Sequence, residues 1–314
     1  MVKKLPESLQ GSGKKWELYE DVDYEAFWDD PAQIRQDRLE KHLISRLLPL
    51  SGHRIIDVGC GYGRLYPCYK DRFSTVILFD GSVQLLKKAR SQLTGMAYFV
   101  AGDINNIPFK DSAFDCVLMI RVLQHVSELG STLSEISRIL SKGGSFVFSY
   151  HNKRNAHRIL KWIFRQEKDN PYSLQSREVS PALLSHHPVF IKLNLEQVGF
   201  TNPSYLGAVY IRQLADIKEK ISTKVPSGSR WSSLMGKLLA APWLIGTSKK
   251  RIGSEAELGN DLINILVCPI CKSSLQEENN GFFCRACRRR CLFASFVAFA
   301  SKAIHASCTA GAPA

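Results

Sequence analysis

The spacing of apolar residues changes near residue 50. Before it, Ile34, Leu39, Leu43, Ile44, Leu47 and Leu48 recur at roughly three- and four-residue steps, which predicts a helix with one buried face. After it, short and nearly continuous apolar runs take over: Arg54–Val58, Thr75–Asp80, Ala97–Asp103, Phe114–Ile120 and Ser145–Tyr150. Such runs predict strands covered on both faces. Helical patterns lie between them, at Val83–Leu93 and at Leu129–Leu140, the second stopped by Lys142-Gly143-Gly144. Strands that alternate with helices pair in parallel through right-handed crossovers, so the expected class is α/β with a doubly wound, mostly parallel sheet.

The flanks are less regular. Residues 1–15 are polar and rich in Gly and Lys, and are expected to be a flexible tail. Aromatic residues follow: Trp16, Tyr19, Tyr24, Phe27 and Trp28. In 151–250, Ile159, Leu160, Trp162, Ile163 and Phe164 sit among Arg154, Arg158, Lys161 and Arg165. Pro181–Val198 predicts a helix that enters a strand at Gly199-Phe200, and Pro242–Lys250 predicts a last edge strand. Residues 251–261 have the composition of a linker.

Charge singles out the same middle segment. The net charge is +13, and ten of these surplus charges fall in 151–250, where 16 Lys and Arg face 6 Asp and Glu. A local surplus points to an anionic partner or a membrane surface, and the plainer reading is a solvated basic face. No apolar run reaches the ~18 residues that cross a bilayer, and Met1-Val-Lys-Lys-Leu-Pro-Glu7 has no apolar segment of a secretory leader. The expected location is the cytoplasm.

The nine cysteines include two pairs, Cys268-Pro-Ile-Cys271 and Cys284-Arg-Ala-Cys287, with twelve residues between them. An odd total without a secretory leader argues against a disulfide framework. Two such knuckles present four thiolates to one ion, which is the donor set of a closed structural Zn²⁺ site. The alternative is a decayed site that binds nothing. Cys291, four residues past Cys287, is a competing ligand that would break the symmetry of the pairs.

A glycine-rich loop, Gly59-Cys-Gly61-Tyr-Gly63, follows the first strand. Such a loop lets the backbone approach a nucleotide cofactor closely. A dinucleotide site needs GxGxxG, but Arg64 stands where the third glycine belongs, which argues against a nicotinamide-dependent oxidoreductase. Three acids, Asp57, Asp80 and Asp103, fall at the carboxyl ends of the first three strands, where open α/β sheets bind ligands. Singly, each would read as a turn residue.

Residues 35–150, and more loosely the chain to 250, resemble the class I S-adenosylmethionine-dependent methyltransferases, in particular their type 11 branch. The matching words are Ile55-Ile-Asp-Val-Gly-Cys-Gly-Tyr-Gly63, Phe79-Asp-Gly-Ser82, Gly102-Asp-Ile104, Ile107–Asp115, Val122-Leu-Gln-His125, Leu140-Ser-Lys-Gly-Gly144 and Leu195-Glu-Gln-Val-Gly-Phe200. The resemblance implies a seven-stranded Rossmann-like methyltransferase fold. It also implies roles: Gly59, Gly61 and Gly63 admitting the methionine part of the cofactor, Asp57 orienting its ammonium group, and Asp80 accepting from both ribose hydroxyls. Asp103, with Ile104, would meet the adenine, and Arg121 would lie beside the methyl donor, where that family often has a small or neutral residue. His125 is the one nominated base, needed only if the acceptor must lose a proton; the alternative is a hydrogen-bonded structural histidine. Tyr150 and His151 are weaker candidates.

Residues 262–290 are similar to the small zinc-ribbon protein that activates several tRNA, rRNA and release-factor methyltransferases in trans. That family continues with a Tyr-Pro-Ile-x-Asp-Gly-Ile-Pro-like strand, whereas this chain reads Cys291-Leu-Phe-Ala-Ser-Phe296. Residues 291–314 are therefore either a truncated module or a shifted reading frame. A ribbon this small folds on its metal. Its apolar edge, Leu262, Ile263, Leu266 and Val267, is expected to dock on the catalytic domain, supplying in cis what the activator supplies in trans.

The favoured reading is a methyltransferase of a small molecule or lipid, with 155–164 resting on a membrane. The alternatives are a methyltransferase of RNA or a translation component guided by the basic segment and ribbon, and a non-catalytic scaffold that keeps the nucleotide fold. The Asn/Asp-Pro-Pro-Tyr/Phe word of amino-directed base methyltransferases is absent after the fourth strand, which continues Ile120-Arg-Val-Leu-Gln124, and Cys68 is not placed as a cytosine-C5 nucleophile.

Overall fold

The helix expected before residue 50 forms as α1, Pro31–Leu47, with Leu43 and Ile44 wholly buried. The computed structural model describes residues 28, 30–180, 183–208, 229–254, 262–278, 281–292, 303–305 and 307–310. The expected tail 1–15, the aromatics Trp16 to Phe27, most of the expected linker and much of 291–314 lie outside these.

The alternating pattern becomes β1 (Gly52–Val58), β2 (Phe73–Asp80), α2 (Val83–Gln92), β3 (Tyr98–Ala101), β4 (Phe114–Met119), α3 (Leu129–Ile139) and β5 (Leu140–His151). The Ser82 hydroxyl accepts the Leu85 N–H at 3.3 Å and so starts α2 at the end of β2. The glycines at 143 and 144 do not stop α3. The helix ends at Ile139, and Gly143 makes its positive-φ turn inside β5.

The segment 151–250 adds α4 (Ala156–Ile163), a hairpin of β6 (Arg177–Ser180) and β7 (Leu183–Ser185), α5 (Pro188–Gln197), β8 (Ser204–Ala208), α6 (Ser229–Lys237) and β9 (Trp243–Lys249). The helix expected over 181–198 is thus shorter; His187 caps it and Pro188 opens it. Pro242–Lys250 is not an edge strand. β9 pairs antiparallel with β5 on one side and β8 on the other. Its apolar run, Leu244–Gly246, is buried accordingly.

The main sheet runs in the order β3-β2-β1-β4-β5-β9-β8, parallel as far as β5. Side chains alternate between its faces. Ile55, Leu78 and Val147 pack with Leu43 and Ile44 of α1; Ile56, Phe79 and Phe146 pack with α3 and α5. This second face also takes Leu262, Ile265 and Leu266.

The C-terminal module is a small antiparallel sheet of β10 (Gln276–Glu278), β11 (Gly281–Cys284), β12 (Arg289–Leu292) and β14 (Ser307–Ala310), while β13 (Ala303–His305) runs parallel to β3 at the edge of the main sheet. The module is fastened to the segment after β3. Lys110 N–H donates to Ile265 O at 2.8 Å and Val267 N–H to Pro108 O at 3.0 Å, flanking an antiparallel bridge between Phe109 and Leu266. Lys272 Nζ reaches Glu135 Oε2 of α3 at 2.8 Å. Of the expected docking edge, Leu262, Leu266 and Val267 are buried and Ile265 joins them; the side chain of Ile263 lies outside the described residues.

Candidate functional site

The strand ends and the glycine loop enclose a cleft of about 520 Å³ at the carboxyl end of the sheet. Gly59, Gly61 and Gly63 all have positive φ, at 74°, 57° and 80°, which favours glycine. The loop is tied back to β2 by Gly59 N–H and Cys60 N–H, both donated to Phe79 O at 2.7 and 3.2 Å. A Cβ at Gly61 would meet no protein atom within 4 Å, so this glycine borders open cleft; a Cβ at Gly59 would overlap Val122. Gly63 is different. It packs against Leu93 and does not line the cleft.

The three acids separate in the same way. Asp80 lines the cleft, with Oδ2 accepting from Gly61 N–H at 2.8 Å and Oδ1 from Ser82 N–H at 2.9 Å. Burial raises its pKa, and the backbone N–H groups oppose that rise. Asp103 also lines the cleft, beside Ile104, and folds onto its own turn by accepting from Asn105 N–H at 2.9 Å. Asp57 lies beneath the loop, 2% exposed, and accepts the Tyr69 hydroxyl at 2.6 Å. Burial pushes its pKa to about 7, against the pull of that hydrogen bond. It is not part of the cleft wall.

Arg121 follows β4 at φ 61° and lines the cleft. Its N–H donates to Ser149 Oγ at 2.9 Å. Its guanidinium lies 4.5 Å from the ring of Trp243 and 5.1 Å from that of Trp28, and Nε donates to Glu40 Oε1 at 3.0 Å. Arg64 stacks on Trp28 at 4.1 Å and donates to Glu40 Oε2 at 2.6 Å and to Asp37. Glu40 is only 1% exposed. Burial works to raise its pKa, but the Arg121 and Arg64 guanidinium groups outweigh it and hold the carboxyl below its ordinary value. Sequence reasoning missed this cluster of Trp28, Glu40 and Trp243 around the two arginines, behind the cleft lining. Arg121 and Trp28 stand out in the sequence, but nothing in it brings them together with Glu40.

His125 ends a short 3₁₀ turn, Leu123–His125, and half-buried it lines the cleft. Tyr150 and His151 do not. Tyr150 is wholly buried, with Phe148 and Tyr205 as ring neighbours. His151 sits edge-on to Trp243, and burial, with the nearby positive Arg158, draws its pKa down to about 4, so it is neutral at physiological pH.

At the other end of the chain, Cys268, Cys271, Cys284 and Cys287 bring four Sγ atoms within 4.8 Å of one another. Cys268 and Cys287 are 3.6 Å apart, Cys271 and Cys284 3.4 Å. A tetrahedral Zn²⁺ with Zn–S of 2.3 Å requires sulfur separations of about 3.8 Å, so the donor set fits that ion. Each knuckle closes on a residue of positive φ just past its second cysteine, Lys272 and Arg288. Hydrogen bonds from Ser273 lower the Cys271 thiol to about 6. The side chain of Cys291 lies outside the described residues.

Comparison with known proteins gives the same division. A family model described as "Methyltransferase domain" matches residues 56–148, and one described as "Trm112p-like protein" matches residues 260–290. An uncharacterised protein of Methanocaldococcus jannaschii is 37% identical over 127 residues, covering 40% of this chain and 52% of its own length. A malonyl-[acyl-carrier protein] O-methyltransferase of Pseudescherichia vulneris is 29% identical over 122 residues, covering 39% and 48%. The chain thus spans about half the length of the curated relatives it matches. Among solved structures, the complex that contains the Haloferax volcanii Trm112 methyltransferase activator has a chain matching at TM-score 0.51 and 18% identity, over 74% of this chain and 97% of that one. An S-adenosylmethionine-dependent methyltransferase fold from Listeria monocytogenes matches at TM-score 0.51 and 18% identity, over 69% and 99%. At that identity the likeness is one of fold. No helix among the described residues is long and apolar enough to cross a membrane.

Proposed function

We propose that this chain, which joins a methyltransferase domain to a Trm112p-like zinc ribbon, transfers a methyl group from S-adenosylmethionine to a small-molecule or lipid acceptor. In this reading residues 16–250 are the catalytic domain and 262–290 the ribbon. The observation that carries it is the pairing of Asp80 with Gly61. The carboxylate of Asp80 lines the cleft and is fixed by backbone N–H groups, Gly61 on one oxygen and Ser82 on the other, and beside it Gly61 leaves open the space that a side chain would fill. In this reading the carboxylate accepts from the ribose hydroxyls, and Asp103 and Ile104, which line the same cleft, take the adenine.

The cofactor supplies a methyl carbon already activated on a sulfonium. The protein's work is to hold the acceptor in line and to exclude water. Arg121 borders the cleft, and its charge is offset by Glu40, so a cationic donor would not face an uncompensated guanidinium. In this reading His125, on the cleft wall, takes the proton where the acceptor must lose one. Zinc, held by the four cysteines, would keep the ribbon folded, and the ribbon in turn holds Pro108–Lys110, the end of the segment that begins at Asp103. Names of relatives support the acceptor class: besides the malonyl carrier-protein enzyme, a phthiotriol/phenolphthiotriol dimycocerosates methyltransferase of Mycobacterium leprae is 28% identical over 151 residues. The basic segment supports the second reading, an RNA acceptor.

Calorimetric titration with S-adenosylmethionine tests the cofactor. Binding is expected for the native chain, and Asp80→Ala is expected to weaken it roughly a hundredfold, two charge-assisted hydrogen bonds being lost. Absence of binding would leave the scaffold reading. Methyl-tritiated cofactor with cell extract then tests the acceptor. Label in the solvent-extractable fraction supports the small-molecule or lipid class, and nuclease-sensitive label supports RNA.

A further inference from the structure

The helix α4 has its polarity reversed. A surface helix normally turns apolar residues inward and charges outward. Here the buried residue is Arg158, 8% exposed, ion-paired to Glu167 and Asp169 at 3.1 and 2.9 Å. The outward residues are Leu160, Ile163 and Phe164, at 54%, 57% and 67% exposure, with Trp162 beside them. Phe164 is held out where the helix ends, because Arg165 turns back at φ 56° and donates to Trp162 O at 3.0 Å. From Lys161 to Gln166 every residue is exposed.

The charges around this patch are of one sign. No acid occurs from His151 to Gln166, and the first two acids beyond, Glu167 and Asp169, are taken by Arg158 and Arg177. Lys161, Arg165 and Lys168 form no ion pair among the described residues. An apolar centre with a basic rim is complementary to an anionic lipid surface: the side chains enter the acyl boundary while the cations meet headgroup phosphates. A purely phosphate-binding face, as for RNA, has no use for four large apolar side chains in water. The patch also lies at the cleft's end of the sheet, since α4 follows the carboxyl end of β5 and Ala156 N–H is fastened to Ala240 O at 2.9 Å, just before β9.

We infer that α4 and the turn after it dock this protein on an anionic bilayer, with Leu160, Trp162, Ile163 and Phe164 inserted and Lys161 and Arg165 at the headgroups. The inference deepens the proposed choice of a lipid acceptor, but its test reads no methyl transfer, so either can fail without the other. The full chain is sedimented with vesicles of phosphatidylglycerol and phosphatidylcholine in equal parts, and with phosphatidylcholine alone. Binding to the mixed vesicles alone is expected. The pairs Ile163→Glu with Phe164→Glu, and Lys161→Glu with Arg165→Glu, are each expected to reduce it roughly tenfold or more, with cofactor binding unchanged. Should a variant fold poorly, hydrogen exchange on the native chain gives the same reading: added vesicles are expected to protect the amides of 157–166. The inference is overturned if mixed vesicles are not bound, or if the apolar pair leaves binding unchanged. It is also overturned if the patch instead mediates self-association or RNA retention while vesicles stay inert.

Discussion

In the main sheet, Ile55, Ile56, Val117 and Phe146 are wholly buried, and apolar contact on two faces holds the strands. In the ribbon the interior consists of two cysteines, Cys268 and Cys284, with Leu275, Phe282 and Cys287 against them. The sheet has a core that folding itself creates; the ribbon has a core that a metal must complete. The line between them does not follow the family boundaries. Leu262, Ile265 and Leu266 precede the first cysteine of the cluster, yet they pack with Phe109 and Phe114 of the main-sheet domain. The apolar edge of the ribbon is therefore part of the sheet's core, and Leu275 and Phe282 touch both that core and the cysteine cluster.

The sharpest way to break that comparison is Cys284→Ser. Structural zinc contributes on the order of 10 kcal/mol to the folding of small metal modules, so loss of this ligand is expected to abolish zinc content and unfold β10 to β12. The main sheet should persist, with faster hydrogen exchange at 104–110 as its visible cost. Zinc quantification together with hydrogen exchange checks this. A single joint transition of sheet and ribbon would show one cooperative unit instead of two. Glu40→Gln probes the exception inside the apolar sheet. It leaves Arg64 and Arg121 without their shared buried partner, and a destabilisation of about 3 kcal/mol is expected in denaturant unfolding. No change would mean that the two tryptophans, with Asp37 on Arg64, hold the guanidinium groups without Glu40. The smallest effect is expected from Lys272→Ala. This half-buried pair with Glu135, at 2.8 Å, is worth under about 1 kcal/mol. Its loss should appear only as faster amide exchange near Ile107, whose N–H donates to the same Glu135 at 2.9 Å.

Legibility in the sequence follows the same division. The parallel strands were readable because burial on both faces demands apolar runs such as Phe114–Ile120, and the cysteine cluster because metal geometry demands short fixed spacings. The cleft residues Gly59, Gly61, Asp80, Asp103, Ile104, Arg121 and His125 were readable because they follow strand ends. The inner place of β9 was not, because an antiparallel insertion between β5 and β8 leaves no mark in the run Trp243–Lys249 itself. Nor was Glu40. A glutamate on a helix reads as solvated, and only the fold brings Arg64 and Arg121 to it. Asp57 and Gly63 carry the loop's pattern yet lie outside the cleft, Asp57 buried against Tyr69 and Gly63 packed on Leu93, contacts that only the fold brings about.

The bridge between Phe109 and Leu266 joins two parts of one polypeptide. Were these two separate proteins, their union would depend on how much of each a cell makes. Tethered, the ribbon meets its seat at an effective concentration on the order of millimolar, whatever the amount of protein. The ratio of ribbon to main-sheet domain is one by construction, and a ribbon-shaped competitor supplied from outside would have to outcompete a tethered neighbour.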